Sequence, residues 1–181
     1  MTVFLFSKAE KGGLACVQKQ TEACTIEDSP SPDAFIGAHL SGLLRVNEKK
    51  EGGPRTLRDW NADHALSFLQ HVEYDGAGHL VVSRPGIYRI KSHLGYCLPL
   101  GSNGTQATHH IVRFDATSHT EAILQSATVS SSPCQSLPCD GYSDLTVQEI
   151  LHTGDMVYIQ FTDSLILGPR KSDSYFELIS L

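Results

Sequence analysis

The sequence predicts an all-β domain in which two antiparallel sheets pack as a sandwich. Short segments rich in β-branched and aromatic residues recur about every 10 to 15 residues, with turn-forming residues between them. In segment 79–95 an apolar run ends at Pro85-Gly86, and the chain then alternates in a two-residue period from Ile87 to Ser92. A proline-glycine corner between two strands fixes where the second strand enters its sheet, so this segment is predicted to be the centre of the fold.

The predicted strands cover most of the chain after residue 33. They are 34–46, 80–82, the central strand after Gly86, 107–115, 121–129, 145–151, 156–162 and 175–181. Segments 47–54, 96–106 and 130–142 have the charge, glycine, serine and proline content of loops. Residues 57–69 stay ambiguous at this point, because their apolar positions also have a loosely helical spacing.

Composition excludes several classes of partner. The 181 residues carry a net charge of −6, and no basic cluster is longer than Lys49-Lys50. Nucleic-acid binding needs a localised positive face, so we expect no nucleic-acid partner. No apolar run approaches the roughly 20 residues of a membrane-spanning helix. Residues 1–33 end in alternating serine and proline and predict a flexible stalk or extension, whereas 34–181 predict the folded domain.

Catalytic and metal-binding patterns are missing from the sequence. It has no nucleophile elbow, phosphate-binding glycine loop or paired-histidine zinc helix, so we expect no enzyme activity and no cofactor. His109 and His110 are adjacent and would point to opposite faces of a strand, which favours structural roles over metal binding. Five cysteines and the sequon at Asn103, a candidate glycosylation site, fit secretion.

Four stretches resemble segments of the tumour necrosis factor family of ligands and follow one another along the chain in the same order as in that family. They are Leu80 to Tyr88, Ala38 to Gly42, Leu151 to Asp155 and Ser174 to Leu181. The similarity covers 34–181 and implies a jelly roll that assembles as a homotrimer. It also implies that 57–69 forms two short strands, with Trp60 as a core anchor.

The resemblance implies which residues lie at the subunit contact. The family packs three chains around an axis lined by aromatic and apolar side chains, and Tyr175 and Leu181 occupy matching positions. Lys91 and Asp144 stand where the family often has tyrosines. We expect these two opposite charges to face each other across a more polar interface; the alternative is an alignment shifted by one or two residues at Asp144.

The same resemblance implies a disulfide between Cys97 and Cys134 that ties two neighbouring loops. Closing that loop would stabilise the fold by about 4 kcal/mol in the chain-entropy model. Cys139 could compete with Cys134 for Cys97, and Cys16 and Cys24 could pair within the stalk or with other chains. One branch of the family holds zinc on its axis through a cysteine of this region, which stays open as an alternative, although the spacing itself predicts no metal site.

Receptors of this family lie along the groove between subunits and touch loops at both ends. The matching exposed candidates are basic, polar and apolar loop residues: Lys49, Lys50, Arg55, Ser118, His119, Leu165, Ile166, Arg170 and Lys171. Ser118 replaces the hydrophobic anchor that several members place at the tip of the middle loop. An apolar triplet that includes Leu165 and Ile166 is a substitute anchor, unless its side chains point inward.

These features predict an extracellular cytokine that clusters cysteine-rich receptors of the tumour necrosis factor receptor family. It would be secreted, or shed from a type II membrane precursor whose span is not in this sequence. The alternative is a globular head of the complement and collagen-tail type, which shares the jelly roll but binds varied surfaces. The sequence has no Gly-X-Y tract, and that absence favours the cytokine.

Overall fold

The computed structural model describes residues 35–43, 54–97, 106–130, 140–162 and 173–181. Eleven strands lie in these ranges: β1 Gly37–Ser41, β2 Pro54–Thr56, β3 Phe68–Gln70, β4 Val72–Tyr74, β5 His79–Val82, β6 Gly86–Cys97, β7 Gln106–Asp115, β8 Thr120–Ser130, β9 Asp140–Leu151, β10 Met156–Thr162 and β11 Tyr175–Ser180. The predicted all-β class is confirmed, and all the pairings between these strands are antiparallel.

The strands form two sheets, as the jelly-roll prediction requires. The five-stranded sheet has the order β3-β1-β11-β6-β9, and the six-stranded sheet has the order β4-β5-β10-β7-β8 with β2 also paired to β10. The predicted central strand β6 lies between β11 and β9, with register pairs that run from Gly86↔Leu151 to Cys97↔Asp140. Apart from the consecutive pairs β4–β5 and β7–β8, neighbours in each sheet are distant in sequence, so most of the fold depends on long-range pairing.

The core lies between the two sheets and follows the two-residue period of the strands. Alternate side chains of β6 and β11 are buried. The largest fully buried apolar side chains of the core as a whole are Tyr88, Phe176, Leu40, Leu80, Ile90, Leu94, Ile111, Leu151, Ile159 and Leu178. Trp60 is only 2% exposed, and its ring centroid lies 5.9 Å from that of Phe176. Its predicted role as a core anchor is therefore confirmed.

Several boundaries differ from the sequence prediction, among them the first strand, which is Gly37–Ser41 rather than 34–46. Segment 57–69 contains an isolated bridge between Trp60 and Leu43 and the start of β3, instead of two short strands. Pro54 and Arg55 belong to β2 rather than to a loop, because Thr56 and its neighbours pair with β10. A proline is compatible with the first position of a strand, which explains why its presence misled the prediction.

The loop predicted over 130–142 is also shorter than expected. β8 extends through Ser130, and β9 begins at Asp140 because its pairing with β6 continues as far as Cys97. The stalk 1–33 lies outside the described residues, so the domain boundary stays a prediction.

Candidate functional site

The outward face of the five-stranded sheet carries exposed apolar side chains. Phe68, Ile87, Tyr142 and Ile150 are between 39% and 60% exposed on strands β3, β6 and β9. Within the described strands of the six-stranded sheet, one large hydrophobic residue is comparably exposed, Ile123 on β8 at 59%. Exposed apolar area concentrated on one sheet indicates a contact surface, since isolated exposed residues are ordinary.

A row of stacked rings crosses this face diagonally. Tyr142 stacks on His93 with centroids 5.1 Å apart, and His93 stacks on Tyr175 at 5.4 Å. Tyr175 in turn stacks on His39 at 5.2 Å, and His39 lies 6.1 Å from Phe68. The row therefore joins one residue from each of the five strands, and we call it the aromatic row.

A carboxylate stands beside the row in the middle of the sheet. Glu177 on β11 lies 3.5 Å from His39 Nδ1, 3.8 Å from Arg89 Nη2 and 4.0 Å from Lys91 Nζ. None of these separations is a hydrogen bond by length, and within the described residues both Glu177 Oε1 and Arg89 Nε are buried without a hydrogen-bond partner. The opposite charges therefore attract one another, but Glu177 Oε1 and Arg89 Nε make no hydrogen bond with another described residue.

A second carboxylate pairs with the other histidine of the row. Asp144 Oδ1 lies 2.6 Å from His93 Nδ1, a hydrogen-bond distance. Burial raises the pKa of Tyr175, and the charges of Asp144 and Glu177 raise it further, so this phenol stays protonated at neutral pH. The aromatic row thus has one carboxylate against each imidazole.

The opposite end of the face is aliphatic. Ile87 and Ile150 are cross-strand neighbours, and the Leu181 N–H donates to the Ile87 carbonyl over 2.9 Å. Leu181 itself is 63% exposed. The face consequently combines an aromatic row, a charged centre and an aliphatic end. We call these three parts together the assembly face.

The turn between β7 and β8 is exposed and held by its own hydrogen bonds. Asp115 Oδ1 accepts the N–H groups of Thr117 and Ser118, each over 2.9 Å, and these bonds lower the pKa of the Asp115 carboxyl. The His119 N–H donates to the Asp115 carbonyl over 2.9 Å. His119 has a φ of 54°, which closes the turn. Ser118 and His119 are therefore presented on a fixed backbone.

A buried ion pair links the β7–β8 turn to the turn between β9 and β10. Asp155 is 1% exposed, and its Oδ2 lies 2.9 Å from Arg113 Nη2. Its two oxygens also accept the N–H groups of Ala116 over 3.1 Å and of His152 over 2.8 Å. Gly154 precedes it with a φ of 89°, a conformation that favours glycine. Gly154 and Asp155 of the Leu151 to Asp155 motif therefore have structural roles: the glycine permits the turn, and the carboxylate holds it to Arg113.

His109 is a polar group inside the core. Its Nε2 lies 2.9 Å from Ser92 Oγ and its Nδ1 lies 2.9 Å from Ser143 Oγ, both on the facing sheet. Burial, with smaller contributions from His110 and His93, lowers the pKa of His109 from 6.5 to about 3, although Asp144 opposes the shift. The imidazole is therefore neutral and joins the two sheets by hydrogen bonds, as the expected structural role implies.

The structure brings some of the predicted contact residues together. Lys91, Asp144 and Tyr175 share the assembly face, and Leu181 follows it at the chain end. Within one chain Lys91 is nearest Glu177 and Asp144 bonds His93, so their pairing across subunits stays a prediction.

Several predicted sites cannot be placed. Lys49, Lys50, Asn103, Cys134, Leu165, Ile166, Arg170 and Lys171 lie outside the described residues, as does the side chain of Cys97. The disulfide, the glycosylation site and all the receptor contacts therefore stay predictions. Ser118 and His119 do lie in an exposed turn, as expected, and Arg55 is half-buried on β2.

Sequence reasoning missed most members of the assembly face, among them His39, His93, Tyr142 and Glu177. The sequence did contain a signal for His93 on β6, because the two-residue period that buries Ile90 and Leu94 turns His93 outward together with Lys91. Which outward residues of other strands would lie beside it depends on sheet order, which the period does not give.

The described residues also bear on metal binding and on membrane insertion. In the described ranges, no three histidine, cysteine, aspartate or glutamate residues cluster in a way that could hold a metal ion. The same ranges contain no helix with the length and hydropathy needed to cross a bilayer.

Comparison with known proteins identifies the family. No curated protein matches the chain closely enough in sequence to be named as a relative. The profile of the TNF (tumour necrosis factor) family matches residues 58–181, which is more than half of the chain and includes strands β3 to β11. Members of this family are extracellular ligands rather than enzymes. With its two antiparallel sheets and this match, the chain belongs to the tumour necrosis factor family.

Proposed function

We propose that this protein is an extracellular ligand that assembles as a homotrimer and clusters cysteine-rich receptors of the tumour necrosis factor receptor family. Three copies would bury their assembly faces against one another and leave three grooves for receptors. Signalling would then follow from bringing receptor tails together, through valency and effective concentration. Family membership favours this function over the complement-type head.

The observation that carries the trimer is the unequal distribution of exposed apolar residues. Ile150 on the assembly face is 60% exposed, and its cross-strand partner Ile87, which bonds the exposed Leu181, is exposed as well. Ile123 on the six-stranded sheet is 59% exposed, but its cross-strand partner Val112 is buried. A face that combines such a patch with charges of both signs can complement another copy of itself.

The test compares two matched variants, Ile150→Asp and Ile123→Asp. Both place a carboxylate at an equally exposed isoleucine of a strand, so the effect of each on the isolated domain should be similar. Light scattering should give the wild-type chain and Ile123→Asp a mass near three times 19.8 kDa, and Ile150→Asp a lower mass. A folded wild-type protein that is monomeric at micromolar concentration would refute the trimer.

Receptor contact is proposed for loops at both ends of the groove. The β7–β8 turn supports this, because Ser118 and His119 are exposed on a backbone already fixed by Asp115. Ser118 offers little apolar area, so most of the affinity is assigned to Leu165, Ile166, Arg170 and Lys171, with Lys49, Lys50 and Arg55 as further contacts.

Binding to a panel of receptor ectodomains tests these contacts. Ile166→Asp, and separately the double change of Arg170 and Lys171 to Glu, should leave the trimer intact and weaken binding by at least about tenfold, or 1.4 kcal/mol. Ile123→Asp is the matched control and should bind normally. Unchanged affinity in both test variants would exclude this loop as the contact site.

A further inference from the structure

We propose that mild acid weakens assembly of this protein, because two histidines of the assembly face, His39 and His93, gain charge where three copies meet. The inference rests on the proposed trimer. It adds a regulatory property that does not follow from trimer formation alone.

Both imidazoles lie within the assembly face itself. The His93 ring stands between those of Tyr142 and Tyr175, and the His39 ring stands between those of Tyr175 and Phe68. The two side chains are 20% and 19% exposed in a single chain, so their open edges face outward from the sheet. A partner that covers the aromatic row would cover both histidines.

The charges around the two histidines are balanced only while both are neutral. The assembly face has two permanent cations, Arg89 and Lys91, and two carboxylates, Glu177 and Asp144. Histidine ordinarily changes charge between pH 5 and 8. Protonation of both would give each face a net charge of about +2, and a trimer would bring three such faces together.

A second copy is the partner that these charges suit. The charged side chains that another chain could reach are Arg89 and Lys91, which are 36% and 35% exposed, and Asp144, which is 69% exposed. The same face on another chain therefore offers donors for the carboxylate and an acceptor for the two cations. Such self-complementary bonding is strongest while the face has no excess of either sign.

Interactions already present in one chain do not decide the direction. The pairs His93–Asp144 and His39–Glu177 already exist in the free chain, and covering them in a trimer would strengthen their attraction. The cost of removing water from a charged pair can exceed that gain. The repulsion between copies and the loss of water around the new charges both favour dissociation.

Two other effects of acid do not reverse the expected dissociation: one is the change in overall net charge, and the other concerns the buried His109. Acid reduces the net charge of −6, which favours association, but that long-range repulsion is screened beyond about 8 Å at physiological salt. His109 lies behind the sheet, hydrogen-bonded to Ser92, and its lowered pKa keeps it neutral in mild acid. The charges at the contact therefore dominate.

The experiment measures the concentration at which trimers half-dissociate, by sedimentation and light scattering at pH 7.5 and 5.5. For the wild-type protein we expect that concentration to rise by at least about tenfold at pH 5.5. For a trimer this is about a hundredfold change in the dissociation constant, or about 2.8 kcal/mol per trimer. The double variant His39→Gln/His93→Gln should form trimers whose stability changes much less with pH. His119→Gln, which removes a turn histidine off the assembly face, should behave as the wild type. Fluorescence of Trp60 verifies at each pH that the domain is folded.

The outcomes separate this inference from the proposed function. A wild-type trimer whose dissociation is the same at both pH values would overturn the inference and leave the trimer standing. Equal acid sensitivity in the wild type and the double variant would also overturn it, because other groups would then be responsible. A folded monomer at pH 7.5 would instead refute the trimer, and the inference with it.

Discussion

Replacement of His109 by Gln should remove a large part of the acid sensitivity of folding. The imidazole is 0% exposed and bonds Ser92 and Ser143 through its two nitrogens. A glutamine amide has one donor and one acceptor group for the same two hydroxyls but does not titrate. The change therefore separates the titration of this side chain from its hydrogen bonds.

The sign follows from comparing His109 in the folded and unfolded states. Its pKa is about 3 in the folded state and 6.5, the ordinary histidine value, in the unfolded state, so the unfolded chain takes up the proton first as the pH falls. The stabilising contribution is complete above pH 6.5 and is lost progressively towards pH 3. With 1.36 kcal/mol per pH unit, the loss is about 2 kcal/mol between pH 7.5 and pH 5.0.

Urea denaturation followed by the fluorescence of Trp60 measures this difference. Each protein is unfolded at pH 7.5 and 5.0 at one concentration, because the proposed subunit association would also stabilise the fold. His109→Gln should lose about 2 kcal/mol less than the wild type over this interval. His110→Gln, at the adjacent and half-exposed position, is the control and should keep the wild-type loss. If all three proteins lose the same free energy, the buried imidazole is not the acid-sensitive group.

Two more predictions concern the turns and the cysteines. Asp155→Ala should lower the free energy of unfolding by about 3 to 5 kcal/mol in urea denaturation, because it leaves the Arg113 charge without its buried partner. Peptide mapping without reduction should find Cys97 joined to Cys134. Cys139 is the competitor, because both cysteines precede by a few residues the start of β9, whose first residue pairs with Cys97.

Each of these two predictions can fail in a specific way. Asp115→Ala is the control for the ion pair, since it removes a more exposed carboxylate from the same arginine. Equal destabilisation by Asp115→Ala and Asp155→Ala would show that burial of the pair is unimportant. In the mapping experiment, a Cys134–Cys139 peptide would exclude the predicted bridge, and metal analysis of the same sample would test the zinc alternative.

The strands and the core could be predicted because their signals are local. The Pro85-Gly86 corner, the alternation that follows it and the isolated tryptophan each depend on a few adjacent residues, and the structure confirms strands β5 and β6 and the burial of Trp60. β2 was missed because three residues that begin with proline have no detectable period.

The assembly face could be predicted only in part, because its neighbours come from distant parts of the sequence. His39 lies beside Tyr175, and Tyr175 beside His93, although more than 80 residues separate the members of each pair. Their contact depends on the order β1-β11-β6 and on the register of each pairing. The same dependence places Glu177 beside Lys91 within one chain, a neighbour that the period does not give, while the pairing of Lys91 with Asp144 across subunits stays a prediction.

The hydrogen bonds of the β7–β8 turn bear on how its binding preference could change. The carboxylates that hold the turn belong to Asp115 and Asp155, whereas Thr117 and Ser118 contribute backbone N–H groups. Any side chain other than proline would leave those N–H groups in place. The two tip positions can therefore exchange side chains while the backbone keeps its shape, so new contact chemistry could arise there by single substitutions without a new loop conformation.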